Sequence, residues 1–338
     1  MNNHEKHMQS ALNLARYGLG RTAPNPAVGC VIVKDNHVVG RGRTAEGGRP
    51  HAEVMALQMA GEQAHGATAY VTLEPCSHVG KTPPCAQALI DAGIAKVFVA
   101  IEDTDERVSG RGIQMLRDAV IEVEVGLLEK QAYDINKGFF LTRSDKRPFI
   151  SLKFATSNNG KIAGADKKQV WITNELSRRR AHLIRAQHDA IAVGVNTVLI
   201  DNPSLTTRLD GVDTRAKIIV FDRNNRLTGN EKIFENEPLI ITEPDLRKAM
   251  KQLSDAGVTR LLVEGGAGMV SAFLKANLYD QLYWFKAPHD IDEDGLDAIT
   301  HFDIADIEKE TMLKHTQTIQ LNEDVLNIFK TCHSDRTA

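Results

Sequence analysis

Apolar and polar positions in the first 147 residues alternate between a helical and a strand period. The first helix is predicted over residues 4–18, where Met8, Leu12 and Ala15 recur at helical spacing. Two strands follow on either side of Asp35-Asn36, a pair typical of a hairpin turn. The other predicted elements are helices at 51–60, 85–92 and 112–119 and strands at 28–34, 38–43, 67–73, 97–100 and 121–125. We therefore expect a mixed sheet with helices on both faces.

A polar stretch at residues 142–147, closed by Pro148, predicts a boundary between two domains, 1–147 and 148–338. A chain of 338 residues also predicts two domains, at about 150 residues for each. The second domain has the pattern of another α/β unit with its own core. Its predicted elements are strands at 149–155, 190–193, 217–222, 239–242, 260–264 and 281–285 and helices at 176–186 and 269–274.

Composition and charge exclude several classes of protein. Hydrophobic residues make up 42% of the chain and charged residues 25%, which is typical of a globular protein. The first domain has 17 basic and 17 acidic residues and the second has 24 and 27, so neither resembles a nucleic-acid binder. No apolar run approaches the ~18 residues that span a bilayer, and the polar start lacks the apolar core of a signal peptide. We expect a soluble, cytoplasmic protein.

One His and two Cys residues in the first domain form a candidate zinc site. The chain reads His51-Ala52-Glu53, then Pro75-Cys76, then Cys85 after eight intervening residues. Imidazole and thiolate are the ligands that zinc prefers, and three of them leave the fourth position for water. Glu53, at the start of a predicted helix, can shuttle the proton of that water to a leaving amine. The pattern favours a hydrolytic deaminase.

Two other interpretations of these residues stay open at this point. In one, His51 and Glu53 lie on an exposed helix and the two thiols are unrelated core residues. In the other, the zinc is purely structural and His78 is its fourth ligand.

The first domain resembles one family through three stretches, residues 24–29, 51–53 and 73–85. This family is the bifunctional deaminase–reductase of riboflavin biosynthesis. It joins a cytidine-deaminase-like domain to a reductase domain similar to dihydrofolate reductase. The resemblance implies that His51, Cys76 and Cys85 hold zinc and that Glu53 is the proton shuttle. It also implies that Asn25 helps to seat the pyrimidine ring.

The second domain is less informative without this resemblance. Its turn Gly265–Gly268 follows a predicted strand and opens a helix, so its amides could receive a phosphate or could simply pack. Lys153 alternates with apolar neighbours and could lie at a strand edge with its charge in water. The stretches that match the reductase are 152–157, 171–173, 185–186, 197–203, 205–208 and 263–266.

The resemblance implies roles for residues of the second domain. Residues expected to contact NADPH are Ala155, Trp171, Thr197, Asp201, Gly266, Ala267, Gly268, Met269, Val270, Ser271 and Ala272. Residues expected to contact substrate are Gln169, Arg185, Leu205, Arg208 and Glu264. The two arginines suit a ribose phosphate as forked donors. Lys153 and Asp201 would line the reduction site, where a positive charge can polarise the reacting carbon.

The chain departs from the family pattern at several positions. Residues 157–160 read Ser-Asn-Asn-Gly where the family has Ser-Leu-Asp-Gly, and Gln169 replaces a serine. The region 287–292 lacks the usual glycine, and Asp105 replaces an asparagine. These departures favour one rival interpretation, a deaminase whose second domain has decayed into a binding or oligomerisation module.

The sequence as a whole predicts a two-step enzyme with one zinc ion and NADPH as cofactors. The first step is hydrolytic deamination of 2,5-diamino-6-(5-phosphoribosylamino)pyrimidin-4(3H)-one. The second reduces the ribosyl group with hydride from NADPH and gives 5-amino-6-(5-phosphoribitylamino)uracil. We expect a phosphorylated pyrimidine as substrate, no nucleic-acid or membrane partner, and a homo-oligomer. The remaining rivals are an RNA-editing deaminase and a non-catalytic zinc scaffold.

Overall fold

The computed structural model describes residues 2–78, 83–104, 109–164, 172–209, 211–212 and 216–331. The chain divides into two compact units, Met1–Asp145 and Lys146–Ala338. This division lies two residues before the boundary that the polar stretch suggested, and the last helix of the first unit continues into that stretch, to Ser144. Among the described residues, none of the helices is both long and apolar enough to cross a membrane.

The first unit is a five-stranded mixed sheet in the order β2-β1-β3-β4-β5. Strand β1 is antiparallel to both of its neighbours, and β3, β4 and β5 are parallel. The strands are β1 (Gly29–Lys34), β2 (His37–Arg43), β3 (Thr68–Val71), β4 (Lys96–Val99) and β5 (Glu122–Val125). The helices are α1 (Asn3–Tyr17), α2 (Ala52–Ala60), α3 (Cys85–Asp91), α4 (Arg111–Asp118) and α5 (Glu129–Ser144). Short 3-10 turns lie at Glu46–Gly48 and Gly61–Ala64.

Glycines let helices lie directly against both faces of this sheet. A Cβ atom on Gly29 would lie 1.9 Å from the Ala11 carbonyl oxygen of α1. Gly42 pairs with Cys30, the neighbour of Gly29, so it points to the opposite face, where it meets α2. The predicted hairpin is confirmed: Asp35 and Asn36 have the positive φ values that this two-residue turn needs.

The second unit contains an eight-stranded sheet in the order β10-β9-β8-β11-β6-β12-β15-β14. The six strands from β10 to β12 are parallel, and a C-terminal antiparallel hairpin completes the sheet. Its strands are β6 (Phe149–Thr156), β8 (Ala190–Gly194), β9 (Lys217–Phe221), β10 (Leu239–Ile241), β11 (Arg260–Glu264), β12 (Gln281–Lys286), β14 (Leu313–Leu321) and β15 (Asp324–Thr331). A separate small sheet pairs β7 (Lys161–Ala163) with β13 (Leu296–Asp297).

Helices connect the parallel strands of the second unit. They are α6 (Glu175–Ala186), α7 (Val195–Asp201), α8 (Leu246–Asp255) and α9 (Ala267–Lys275). A short helix α10 (Ile307–Glu310) precedes β14, and 3-10 turns lie at Lys232–Asn236 and Ile304–Asp306. The predictions of helices at α6 and α9 and of six strands are confirmed. The sequence patterns did not predict α5, α7, α8 or the hairpin of β14 and β15.

A buried ion pair joins the start of the second unit to its central strands. The Asp280 carboxylate, fully buried just before β12, accepts hydrogen bonds from the Arg147 guanidinium at 2.7 and 3.1 Å. It also accepts the backbone N–H of Ile150 in β6 at 2.9 Å. Removing one partner of such a pair strands a charge in a medium of low dielectric constant.

We expect Asp280→Ala to lower the free energy of unfolding of the second unit by about 3–5 kcal/mol. Urea unfolding followed by tryptophan fluorescence measures this, because both tryptophans, Trp171 and Trp284, belong to the second unit. Asp255→Ala is the matched control, since it breaks an exposed pair with Lys251 and should cost less than about 1 kcal/mol. Equal effects of the two substitutions would contradict a stabilising role for the buried pair.

Candidate active sites

Close packing of α2 on β2 places the first two candidate residues of the deaminase site. A Cβ atom on Gly42 would lie 2.0 Å from the Ala52 carbonyl oxygen, so only glycine permits this approach. His51 is the N-cap residue of α2, with an extended backbone (φ −74°, ψ 160°). Glu53 lies in the first turn, so the N-terminus of α2 carries both the imidazole and the carboxylate.

The imidazole and the two thiols of the predicted zinc site lie together. The His51 Nδ1 atom is 3.2 Å from the Cys85 Sγ and 3.7 Å from the Cys76 Sγ, and all three donor atoms lie within 4.8 Å of one another. A tetrahedral zinc ion with bonds of about 2.0–2.3 Å separates its ligand atoms by about 3.5 Å. The donor set therefore fits one zinc ion with one position left over. Within the described residues, His78 is not part of this group, and its side chain is exposed.

The N-terminus of α3 stabilises the charged form of Cys76. The Cys85 backbone N–H donates to the Cys76 Sγ at 3.3 Å, and the Ala86 N–H donates to the Cys76 carbonyl at 3.2 Å. A hydrogen bond from the Cys85 thiol, together with the His51 ring, lowers the pKa of Cys76 to about 4. The pKa of Cys85 is raised, since its proton is held by Cys76. The pair thus presents a thiolate and a thiol, whose proton a bound metal displaces.

Glu53 is a buried carboxyl beside the three donor atoms. Only 3% of its surface is exposed, and burial raises its pKa to about 7, with a further contribution from the charge of Cys76. A carboxyl group with a pKa near neutrality can both take and give a proton at physiological pH. Glu53 is therefore a buried carboxyl in the position where this site needs a proton shuttle.

Two residues that the sequence did not single out hold the segment around Asn25. The Asn136 side chain, buried on α5, accepts the Ala27 N–H at 2.9 Å and donates to the Ala27 carbonyl at 3.1 Å. Gly48 lies directly against Asn25, where an added Cβ atom would be 2.0 Å from the Asn25 Nδ2. A polar residue on the apolar face of a helix was the one sequence signal for Asn136, and α5 itself was not predicted.

Glu74 is a third residue that the sequence did not single out. Its buried carboxylate accepts backbone N–H groups of Asp103, Gly110 and Gly112 at 3.1, 3.0 and 2.8 Å. It therefore ties the segment that precedes Cys76 to the segment that leads into α4. The substituted position Asp105 lies outside the described residues.

In the second unit, Arg185 and Glu264 form a bidentate ion pair. The Arg185 guanidinium donates to the two carboxylate oxygens at 2.6 and 2.8 Å and to the Thr206 carbonyl at 3.1 Å. Burial alone would raise the pKa of Glu264, but Arg185 and Lys153 outweigh it and lower the pKa to about 2. Three of the hydrogen bonds that the Arg185 guanidinium can donate are thus already made within the protein, whereas the Arg208 side chain is exposed.

Lys153 lies beside this ion pair on the next strand. It is in register with Glu264 across β6 and β11, and its Nζ atom is 5.6 Å from the centroid of the Phe285 ring. Burial lowers the pKa of Lys153, and the Glu264 carboxylate opposes that shift. Asp201 ends α7, where its side chain is exposed.

The glycine-rich turn forms the N-terminus of α9. Gly266 is the N-cap; among the described residues, no side chain caps the helix, and an added Cβ atom on Gly268 would meet no atom within 4 Å. The Thr197 hydroxyl lies 3.6 Å from the Cβ position of Gly265. Backbone amides at a helix N-terminus with open space beside Gly268 suit a phosphate group, so these residues fit a dinucleotide.

The other candidate residues of the second unit differ in what they can contact. Val270 is fully buried in the core, and the Ser271 hydroxyl accepts the Thr300 N–H at 3.1 Å. The Leu205 side chain is buried too. The expected contacts of Gln169 with substrate and of Trp171 with NADPH lie outside the described residues.

The fold and donor set of the first unit define a zinc-dependent deaminase of the cytidine deaminase type. Comparison with known families agrees with this class. The cytidine and deoxycytidylate deaminase zinc-binding region matches residues 1–101, and the RibD C-terminal domain matches residues 148–325. The chain belongs to the RibD family and is an enzyme that combines a deaminase unit with a reductase unit.

Relatives resemble the chain over nearly its whole length. The riboflavin biosynthesis protein RibD of Aquifex aeolicus is 38% identical over 96% of this chain and 98% of that protein. The protein of the same name from Escherichia coli is 41% identical over 84% and 87%. The structure of Acinetobacter baumannii RibD has a TM-score of 0.90 at 36% identity, covering 98% of this chain and 99% of that chain. The diaminohydroxyphosphoribosylaminopyrimidine deaminase/5-amino-6-(5-phosphoribosylamino)uracil reductase of Thermotoga maritima has a TM-score of 0.89 at 32% identity, with the same coverage.

The contact of Gly48 with Asn25 leads to a test of the deaminase site. We expect Gly48→Ala to lower deaminase kcat/KM by about 10-fold or more, because the new methyl group displaces the Asn25 side chain. Gly47→Ala is the matched control: its φ of +70° imposes similar backbone strain, but an added Cβ atom meets nothing within 4 Å. Steady-state ammonia release measures both variants. If both lose the same activity, backbone strain and not Asn25 is responsible.

Proposed function

We propose that this chain carries out two consecutive steps of riboflavin biosynthesis on one phosphorylated pyrimidine. The first unit hydrolyses the amino group at C2 of 2,5-diamino-6-(5-phosphoribosylamino)pyrimidin-4(3H)-one and releases ammonia. The second unit reduces the ribosyl group to ribityl and gives 5-amino-6-(5-phosphoribitylamino)uracil. The observation that carries the proposal is the His51, Cys76 and Cys85 donor set beside a buried Glu53.

In the deamination, the chain's own residues position a metal and move protons. His51, Cys76 and Cys85 would hold the zinc ion. When bound, zinc supplies a Lewis acid that makes water a nucleophile near neutral pH. Glu53 takes one proton from the attacking water and delivers it to the departing nitrogen, so that water and the amine become a carbonyl and ammonia. Asn25, pressed against Gly48, would orient the ring.

In the reduction, NADPH supplies the hydride and the chain orients both reactants. Lys153, a half-buried cation beside Glu264, would polarise the C1′ centre that accepts the hydride. The N-terminus of α9, with Thr197, would bind the cofactor's phosphates. The departures from the family pattern do not remove these groups.

One contact supports NADPH over NADH. The Arg226 guanidinium donates to the Asn196 Oδ1 at 2.5 Å, which places an arginine beside α7. An arginine near the adenosine ribose accommodates the extra phosphate of NADPH. The sequence patterns did not single out Arg226, because it lies in a polar turn without a recognisable motif.

A coupled assay on the full chain tests the proposed function. We expect the diaminopyrimidinone ribotide to yield ammonia and an equal amount of oxidised NADPH, with slower oxidation of NADH. Glu53→Gln should lower ammonia release by about 10²- to 10⁴-fold, because the amide cannot carry the proton. The same variant should keep its bound zinc and should still reduce the deaminated intermediate.

Glu62→Gln is the control for that assay, since Glu62 is exposed in the turn after α2. Full ammonia release by Glu53→Gln would contradict the shuttle. Ammonia without NADPH oxidation would favour the rival in which the second unit only binds or oligomerises. A zinc-loaded protein with neither activity would overturn the proposed function.

We also propose a homo-oligomer that works in the cytoplasm. Large apolar side chains remain exposed in both units, among them Tyr17, Met59 and Ile200, and an interface would cover them. Cys30, Cys76 and Cys85 are free, as in proteins of a reducing compartment. Sedimentation should give a multiple of the 37.3 kDa chain mass, and cell fractionation should recover the protein with cytoplasmic enzymes. A monomer at working concentrations would contradict the oligomer.

A further inference from the structure

His182 makes a hydrogen bond that fixes which of its ring nitrogens carries the proton. The Arg208 backbone N–H donates to the His182 Nδ1 at 3.3 Å, so Nδ1 is the unprotonated acceptor. The neutral ring then carries its proton on Nε2. Within the described part of the chain, no partner accepts that Nε2–H. The half-buried imidazole therefore offers a donor to something outside the protein.

The segment 205–208 is fastened to α6 by two side chains one helical turn apart. His182 holds the Arg208 N–H, and Arg185 donates to the Thr206 carbonyl. Leu205 has a φ of +50°, an uncommon value for a branched residue, which indicates that its surroundings impose this conformation. The backbone that presents Arg208 is thus held from the helix side.

The Thr207 hydroxyl lies between these two anchored residues. Its Oγ1 atom is buried and lacks a hydrogen-bond partner in the part of the chain that the structure describes. A buried hydroxyl without a partner is costly unless a ligand or a water completes it.

Positive charge dominates the surroundings of these groups. Lys153, Arg185 and Arg208 all act electrostatically on His182, and Glu264 is the acidic group that opposes them. Burial makes the largest contribution to a lowered pKa of His182, and the charges of Arg185 and Arg208 lower it further. The ring therefore stays neutral near pH 7. Three cations against one carboxylate leave an excess of positive charge that suits a phosphate dianion.

We propose that His182 helps the reductase unit to bind the phosphate group of its substrate. The His182 Nδ1 atom fixes the Arg208 backbone. The Nε2–H group donates to the phosphate, to which the Arg208 guanidinium and the Thr207 hydroxyl also donate. This role rests on the proposed function of the second unit and deepens it.

Reduction of the deaminated intermediate, with and without its 5′-phosphate, tests this role. We expect His182→Ala to raise KM for the phosphorylated compound by about 10- to 100-fold, the effect of losing a hydrogen bond to a charged group. Its kcat should change less than about 2-fold, because the reacting carbon is elsewhere. For the dephosphorylated compound, the KM of this variant should equal that of the wild type.

Two conservative variants separate the anchoring and donating roles. In His182→Asn, the Oδ1 atom can still accept the Arg208 N–H, but the Nε2–H donor is lost, so we expect a KM between wild type and His182→Ala. In His182→Gln, the amide nitrogen lies near the Nε2 position, so we expect part of the phosphate effect to return. His315→Ala removes an exposed histidine from the edge strand β14 and should leave both KM values unchanged.

Each result decides a different point. An equal rise in KM for both compounds in His182→Ala, or wild-type KM values throughout, would overturn the role of His182 in phosphate binding. A wild-type chain that deaminates its substrate but reduces neither compound would instead overturn the proposed reductase, and this role with it. Ammonia release by the His182 variants should match wild type, because the substitution lies in the other unit.

Discussion

The contact between the first turn of α2 and strand β2 determines the geometry of the deaminase site. Because Gly42 has no side chain, the Ala52 carbonyl lies where a Cβ atom would otherwise be. His51 and Glu53 flank that carbonyl in the sequence, so their positions follow from the same contact. The N-terminus of α3 then supplies Cys85 and the N–H group that stabilises the Cys76 thiolate. Two helix N-termini thus meet at one donor set.

The zinc set could be predicted from sequence because spacing and residue type together restrict the chemistry. Its supports could not, because they act over long separations in the chain. Glu74 satisfies backbone N–H groups more than 25 residues away, and Asn136 holds Ala27 across 109 residues. The apolar residues of α5 do recur at helical spacing, at Ala132, Ile135 and Phe139, so that helix was predictable. The hydrogen bonds between Asn136, the buried asparagine of α5, and Ala27 could not be predicted.

The second unit shows why departures from a motif are hard to judge by sequence. Asn158 and Asn159, which replace a leucine and an aspartate, bond to Asp290 and to the Ile291 carbonyl at 3.0 and 2.6 Å. The segment 287–292, which lacks the glycine of the family pattern, is thus a partner of the substituted residues. Similarly, Arg185 and Arg208, the two arginines expected to bind a phosphate, are not equivalent. Arg185 is largely used by Glu264 and Thr206, which leaves Arg208 as the exposed guanidinium.

Two buried glutamates show how neighbours decide what a carboxyl group can do. Both are less than 10% exposed, so burial opposes ionisation in each. Glu53 lies beside the Cys76 thiolate, and burial together with that charge raises its pKa to about 7, although His51 opposes the shift. Glu264 binds Arg185 through both oxygens, and its pKa falls to about 2. Glu264 therefore remains a fixed anion that holds cations in place, whereas Glu53, buried beside the three donor atoms, is positioned to move a proton.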